Sequence, residues 1–133
     1  MLFLFFLASL PISLADLRYN KIPNIYLSLL AIALTPVLVM NGLGPIQRLL
    51  ISTSCLAVLH LCGMGMGDIK LLALIVVYLN SSMELSLLEL FGYLVSIAAL
   101  HIVAIGLKNR NLPKSIPLAP SIFLALALYL AAS

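Results

Sequence analysis

The residues of this chain best suited to chemistry are its two aspartates, Asp16 in "SLADLRYN" and Asp68 in "GMGDIKLL". Only 8% of the 133 residues are Asp, Glu, Lys or Arg. A carboxylate kept among apolar segments marks a functional site by default. Two carboxyls brought close together cannot both ionise easily, so they come to share a proton. One can then take a proton from water while the other donates to a peptide carbonyl, chemistry that needs neither a metal nor a nucleophilic side chain. Gly65 and Gly67, just before Asp68, would form an active-site turn. They let backbone approach an extended substrate closely and adopt dihedrals that other residues resist.

A blander role stands beside this one. Glycine before aspartate is also ordinary turn chemistry, and both aspartates could be solvated loop residues. Asp16 could instead pair with Arg18 and Asp68 with Lys70, although neighbours two apart do not face each other on a helix.

The elements that must position the pair follow from composition. The chain is 64% hydrophobic with a mean hydropathy of +1.24, whereas a water-soluble domain is roughly 45–50% apolar. This predicts an all-α, polytopic integral membrane protein, one membrane-embedded domain over residues 1–133. Apolar runs predict six transmembrane helices, over Leu2–Ala15, Pro23–Met40, Arg48–Leu61, Ile69–Leu79, Leu85–Leu107 and Ser115–Ala132. Pro23 suits a first helical turn, where its missing N–H has no partner to lose. Asn41-Gly42-Leu43-Gly44-Pro45 ends the second run, and Gly63, Gly65 and Gly67 break the third. The fourth run, eleven residues, is shorter than the roughly 20 needed to cross a bilayer. It is expected to begin or end inside the protein, where neighbours satisfy its free backbone groups. The opening "LFLFFLASLPISLA" has the core of a secretory signal but no basic segment ahead of it. It reads as the first membrane helix.

Six helices create five loops on alternating sides. The first, third and fifth hold Arg18, Lys21, Lys70, Lys108, Arg110 and Lys114, six of the seven basic residues; only Arg48 falls on the other side. The positive-inside rule makes the first side cytoplasmic and puts both termini outside. Asp16 and Asp68 fall on the cytoplasmic side, Glu84 and Glu89 near the opposite face. The basic residues are too scattered to form a nucleic-acid patch, and membrane lipid is their expected partner. Cys55 and Cys62 would lie about 10 Å apart along one helix, too far for a disulfide. With His60 they are expected to be buried structural residues rather than metal ligands, and no cofactor is expected.

"DLRYNKIPN" (16–24) and "GMGDIKLLAL" (65–74) resemble the two aspartate motifs of the type IV prepilin leader peptidase family, membrane aspartic proteases of the Gly-x-Gly-Asp type. "IPLAPSIFLALAL" (116–128) is similar to that family's proline-containing last helix. The matches run in the family's order across nearly the whole chain. The resemblance implies that Asp16 and Asp68 are the catalytic pair. It also implies substrates, namely pilin-like precursors with a short basic leader, cut at the cytoplasmic face of the prokaryotic inner membrane. Larger members carry an insertion with paired cysteine motifs and methylate the new N-terminus. This chain has no Cys-x-x-Cys and resembles the short, peptidase-only branch. Presenilins share the Gly-x-Gly-Asp motif but are longer and use Pro-Ala-Leu, where this chain has "PLAP" at 117–120.

The competing reading is a small transporter or proton-relay subunit with the two aspartates as protonatable groups. A relay usually sets its carboxylates near the bilayer midplane, and transporters often show internal repeats; none is found. A non-catalytic assembly protein is a third reading, under which replacing either aspartate is harmless. Lys70 is expected to mark topology, with a role beside a carboxylate or a lipid phosphate as the alternative. His101 is expected to make a contact between helices, with a hydrogen bond in the active site as the alternative.

Overall fold

The computed structural model describes residues 2–19, 21–82, 86–109 and 117–132. It contains six α-helices and, among the described residues, no strand: α1 (Leu2–Tyr19), α2 (Asn24–Asn41), α3 (Ile46–Leu61), α4 (Met66–Ser82), α5 (Leu87–Asn109) and α6 (Ala119–Ala132). The helix order follows the expected series, and three boundaries differ in ways that matter. α1 does not stop at Ala15; it carries Asp16 inside the helix and runs on to Tyr19. α4 is 17 residues long rather than eleven, about 25 Å at 1.5 Å per residue. Its first turn tolerates Gly67, so the glycines delay the helix less than expected. α6 begins at Ala119, after Leu118 supplies the first helical carbonyl to the amide of Ile122.

α4 is the central helix, packed against α2, α3 and α6. Leu71, Leu72, Ile75, Val76, Tyr78, Leu79 and Asn80 are all buried, covering about 200° of the helix at 3.6 residues per turn, wider than the stripe of a helix that packs on one side only. Phe5 of α1 meets Tyr78 of α4 with ring centroids 5.0 Å apart. α1 packs on α2 and α6, and α6 also packs on α5. The α1–α2 connection meets the first turn of α4, where Ile22 stands against Gly67 and Lys70 reaches Asn24, and the start of α6 meets Asp16. The α2–α3 connection, just before Arg48, meets the other end of α4 at Asn80, and Ser86, just before Glu89, meets Tyr129 near the end of α6. Glu84, Arg110 and Lys114 lie outside the described residues.

Asn80 fastens the far end. Its side-chain amide donates to the carbonyls of Leu43 (2.7 Å) and Pro45 (3.4 Å), tying the α2–α3 connection to the end of α4. Gly44, at φ +70°, passes so close that an added Cβ would collide with the Asn80 backbone.

Large apolar side chains face outward on every helix, among them Leu10, Ile32, Leu50, Met66, Leu100 and Leu124. Two helices are long and apolar enough to cross a membrane, Asn24–Asn41 and Leu87–Leu107. Only 22% and 11% of these spans are buried, which sets them apart from core helices of a water-facing protein. The apolar helices Ile46–Leu61 and Ala119–Ala132 are shorter. By length and composition two of the described helices are candidate membrane spans.

Candidate active site

The end holding the aspartates is built from four helix termini, the ends of α1 and α3 and the starts of α4 and α6. α3 closes on Gly63, whose φ of +95° is the left-handed conformation glycine adopts without strain. The Gly63 amide donates to the His60 carbonyl (3.0 Å) and the Met64 amide to that of Leu59 (3.1 Å), the paired bonds of a Schellman cap. The chain then turns at once into α4, where the Gly65 carbonyl accepts the amide of Ile69 at 3.1 Å. Asp68 thus sits in the first turn of α4, where a carboxylate favours the helix dipole.

Gly65 and Gly67 serve by their lack of a side chain, not by unusual dihedrals; among the glycines around Asp68, positive φ belongs to Gly63. A Cβ on Gly65 would stand 3.1 Å from Oδ2 of Asp68, and one on Gly67 would stand 3.1 Å from Cβ of Ile22. Gly67 lies within α4 and lets it close on the connection between α1 and α2. Gly65 is exposed while Asp68 beneath it is only 9% exposed. Gly65 therefore leaves one approach to the carboxyl without a covering side chain.

Asp16 reaches the same region from α1 and is 3% exposed. Its Oδ2 accepts the backbone amide of Ala119 at 2.9 Å, with the Leu118 amide beside it. Asp16 acts electrostatically on Asp68, so the fold brings the two sequence-selected carboxyls into one neighbourhood. Oδ1 of Asp68 is buried with no hydrogen-bond partner. Burial of both side chains removes the solvated-loop reading. Lys70 turns away from the pair, its Nζ donating to Oδ1 of Asn24 at 3.2 Å.

His101 and Ser121 were not both visible in sequence as neighbours of this site. His101 Nδ1 and Ser121 Oγ share a 2.8 Å hydrogen bond between α5 and α6, the inter-helical contact expected for His101, and His101 also acts electrostatically on Asp16. Cys62 and His60 are exposed and Cys55 is half-buried, against the expectation of burial. Among the described residues no group of three or more His, Cys, Asp and Glu side chains is placed to hold a metal.

Chemically, the arrangement offers one carboxyl fixed by a helix amide and a second with an oxygen free for a ligand or water. Compared with known protein families, with characterised proteins and with solved structures, the chain has no match.

Proposed function

We propose that this protein is a membrane aspartic endopeptidase that removes the short basic leader from type IV pilin-like precursors. The observation that carries the reading is the buried pair itself: Asp16 and Asp68 come from different helices, Asp16 acts electrostatically on Asp68, and Oδ1 of Asp68 has no partner in the protein. Oδ1 of Asn80 and Oγ of Ser81 are also buried without a partner. What sets Asp68 apart is that its open oxygen belongs to a carboxyl beside a second carboxyl, where a water polarised for attack would fill it.

In this mechanism a water lies between the two carboxyls. One carboxylate takes its proton as the water oxygen bonds to the scissile carbonyl carbon. The other, protonated, gives its proton to the carbonyl oxygen. Collapse of the tetrahedral intermediate breaks the C–N bond, the leaving amine takes a proton, and the pair returns to its shared-proton state. Gly65 leaves room for an extended backbone to approach. The six helices lie in the inner membrane, the end bearing Arg18, Lys21 and Lys70 faces the cytoplasm, and both termini face outward. These cations would repel a basic leader, so anionic lipid around them draws it in.

Co-expression with pilin-like precursors tests the reading through a gel shift on leader removal. Cleavage that requires both aspartates supports it. Proton flux through liposomes holding the protein, with every precursor left intact, would favour the relay instead.

A further inference from the structure

α6 begins without a cap of its own. Leu118 occupies the N-cap position, its carbonyl accepting the Ile122 amide at 3.0 Å. Leucine has no side-chain oxygen to accept the helix's unpaired amides, as Ser, Thr, Asp or Asn would. Pro120 has no amide to offer. The Ala119 amide is instead taken by Oδ2 of Asp16, on a helix 103 residues earlier in the chain. That bond fixes the Asp16 carboxyl only if the first turn of α6 is itself held in place.

Among the described residues, the side-chain hydrogen bond that ties this turn to α5 is Ser121 Oγ with His101 Nδ1, at 2.8 Å. Ser121 is 3% exposed, and the side chains around the pair are apolar, including Ile97, Leu100 and Leu124. Two apolar residues could fill the same space. A polar pair in apolar surroundings adds a directional constraint, fixing how far α6 is rotated and advanced against α5. Asp16, on α1, is a group on which His101 acts electrostatically.

We propose that His101 and Ser121 are positioning residues for Asp16: their hydrogen bond sets the first turn of α6 so that the Ala119 amide meets the Asp16 carboxyl. Neither residue touches the reacting atoms. The kinetic part of the test rests on the proposed peptidase activity, whereas a chemical part does not.

The protein, purified and returned to liposomes, is treated with a hydrophobic carbodiimide, and modification of Asp16 is read by peptide mass spectrometry against exposed Glu89 at the far end. Loss of one capping bond should raise Asp16 modification about fivefold in Ser121→Ala and in His101→Leu. In the same variants kcat for precursor cleavage should fall about tenfold or more with KM little changed, as for a misplaced catalytic group. His101→Asn keeps a polar atom at the Nδ1 position and should restore both readouts, which a general packing role would not predict. The double variant Ser121→Ala/His101→Leu should be no worse than either single one, because the two residues make one bond. Unchanged Asp16 modification in both single variants overturns the proposal, as does a His101→Asn protein as impaired as His101→Leu. If modification behaves as expected while wild-type protein cleaves no precursor, the positioning role stands and the peptidase reading fails.

Discussion

Gly65 and Asp68 are set so that a methyl group on the glycine would lie 3.1 Å from the carboxyl oxygen Oδ2. Nearly any side chain at position 65 would therefore crowd the acid it precedes. Gly65→Ala should lower cleavage by displacing Asp68 while thermal stability changes little, since Gly65 is exposed and any neighbour shift is a few tenths of an ångström. Gly67→Ala acts elsewhere, pressing on the branched side chain of Ile22. Overpacking costs about 1–3 kcal/mol, partly offset by the roughly 1 kcal/mol that alanine gains over glycine in a helix. Gly67→Ala should therefore lower the thermal midpoint modestly while cleavage per folded molecule is kept, and Ile22→Ala should not rescue it, because alanine retains the Cβ that stands 3.1 Å away. Equal behaviour of the two alanine variants would contradict the distinct roles.

Asn80 gives a stability prediction away from the site. Asn80→Ala removes the bond to the Leu43 carbonyl, while the Pro45 carbonyl keeps the amides of Arg48 and Leu49, and the loss of one such hydrogen bond costs about 0.5–1.5 kcal/mol. The thermal midpoint in detergent should fall, while cleavage per folded molecule is unchanged. Gly44→Ala should be worse, combining a collision with Asn80 and a φ of +70° that disfavours any side chain. An unchanged midpoint in both variants would remove Asn80 as the fastener of that end.

Much of this architecture was legible because its cues are local. Apolar runs broken by Pro23, Gly42, Gly44 and Gly63 mark six helices, and the scarcity of acids singles out Asp16 and Asp68. What stayed hidden was long-range or steric. No local residue says that Asp16 caps α6, because its partner Ala119 offers only a backbone amide. The spacing around Gly65 and Gly67 was visible, but the reason was not, since a missing Cβ matters only against Asp68 and Ile22. α4 looked too short because glycines read as a break, although they are tolerated in a first turn. The fastening role of Asn80 had no sequence signal beyond being polar in an apolar run.

Sidedness can be read chemically. With Cys55 and Cys62 replaced by serine, Arg18→Cys and Lys21→Cys should react with a membrane-impermeant thiol reagent only after the cytoplasmic face is opened. Arg48→Cys should react in intact cells, as the charge asymmetry requires. Labelling of Arg18→Cys from outside would reverse the orientation and deny leader peptides access to the site.

The pair should also declare itself in its pH profile. Below the acid limb both carboxyls carry protons, and none can take one from water. Above the alkaline limb neither carries a proton to give the carbonyl oxygen. Activity should therefore be bell-shaped, with its two limbs belonging to the pair rather than to one residue each. EDTA should leave cleavage unchanged, since the chemistry runs through carboxyls alone. A single-limbed profile, or loss of activity on chelation that added metal restores, would point to a different mechanism.

The most direct test of the central claim is cleavage of a pilin-like precursor by purified protein in liposomes, with Asp16→Asn and Asp68→Asn beside wild type. One carboxyl cannot serve as acid and base together, and losing such a group costs about a hundredfold to ten-thousandfold in rate. Both variants should remain folded, and both should fall by at least that lower factor, while Glu89→Gln keeps substantial activity. Leader removal by folded Asp68→Asn protein at a rate near that of wild type would contradict the account.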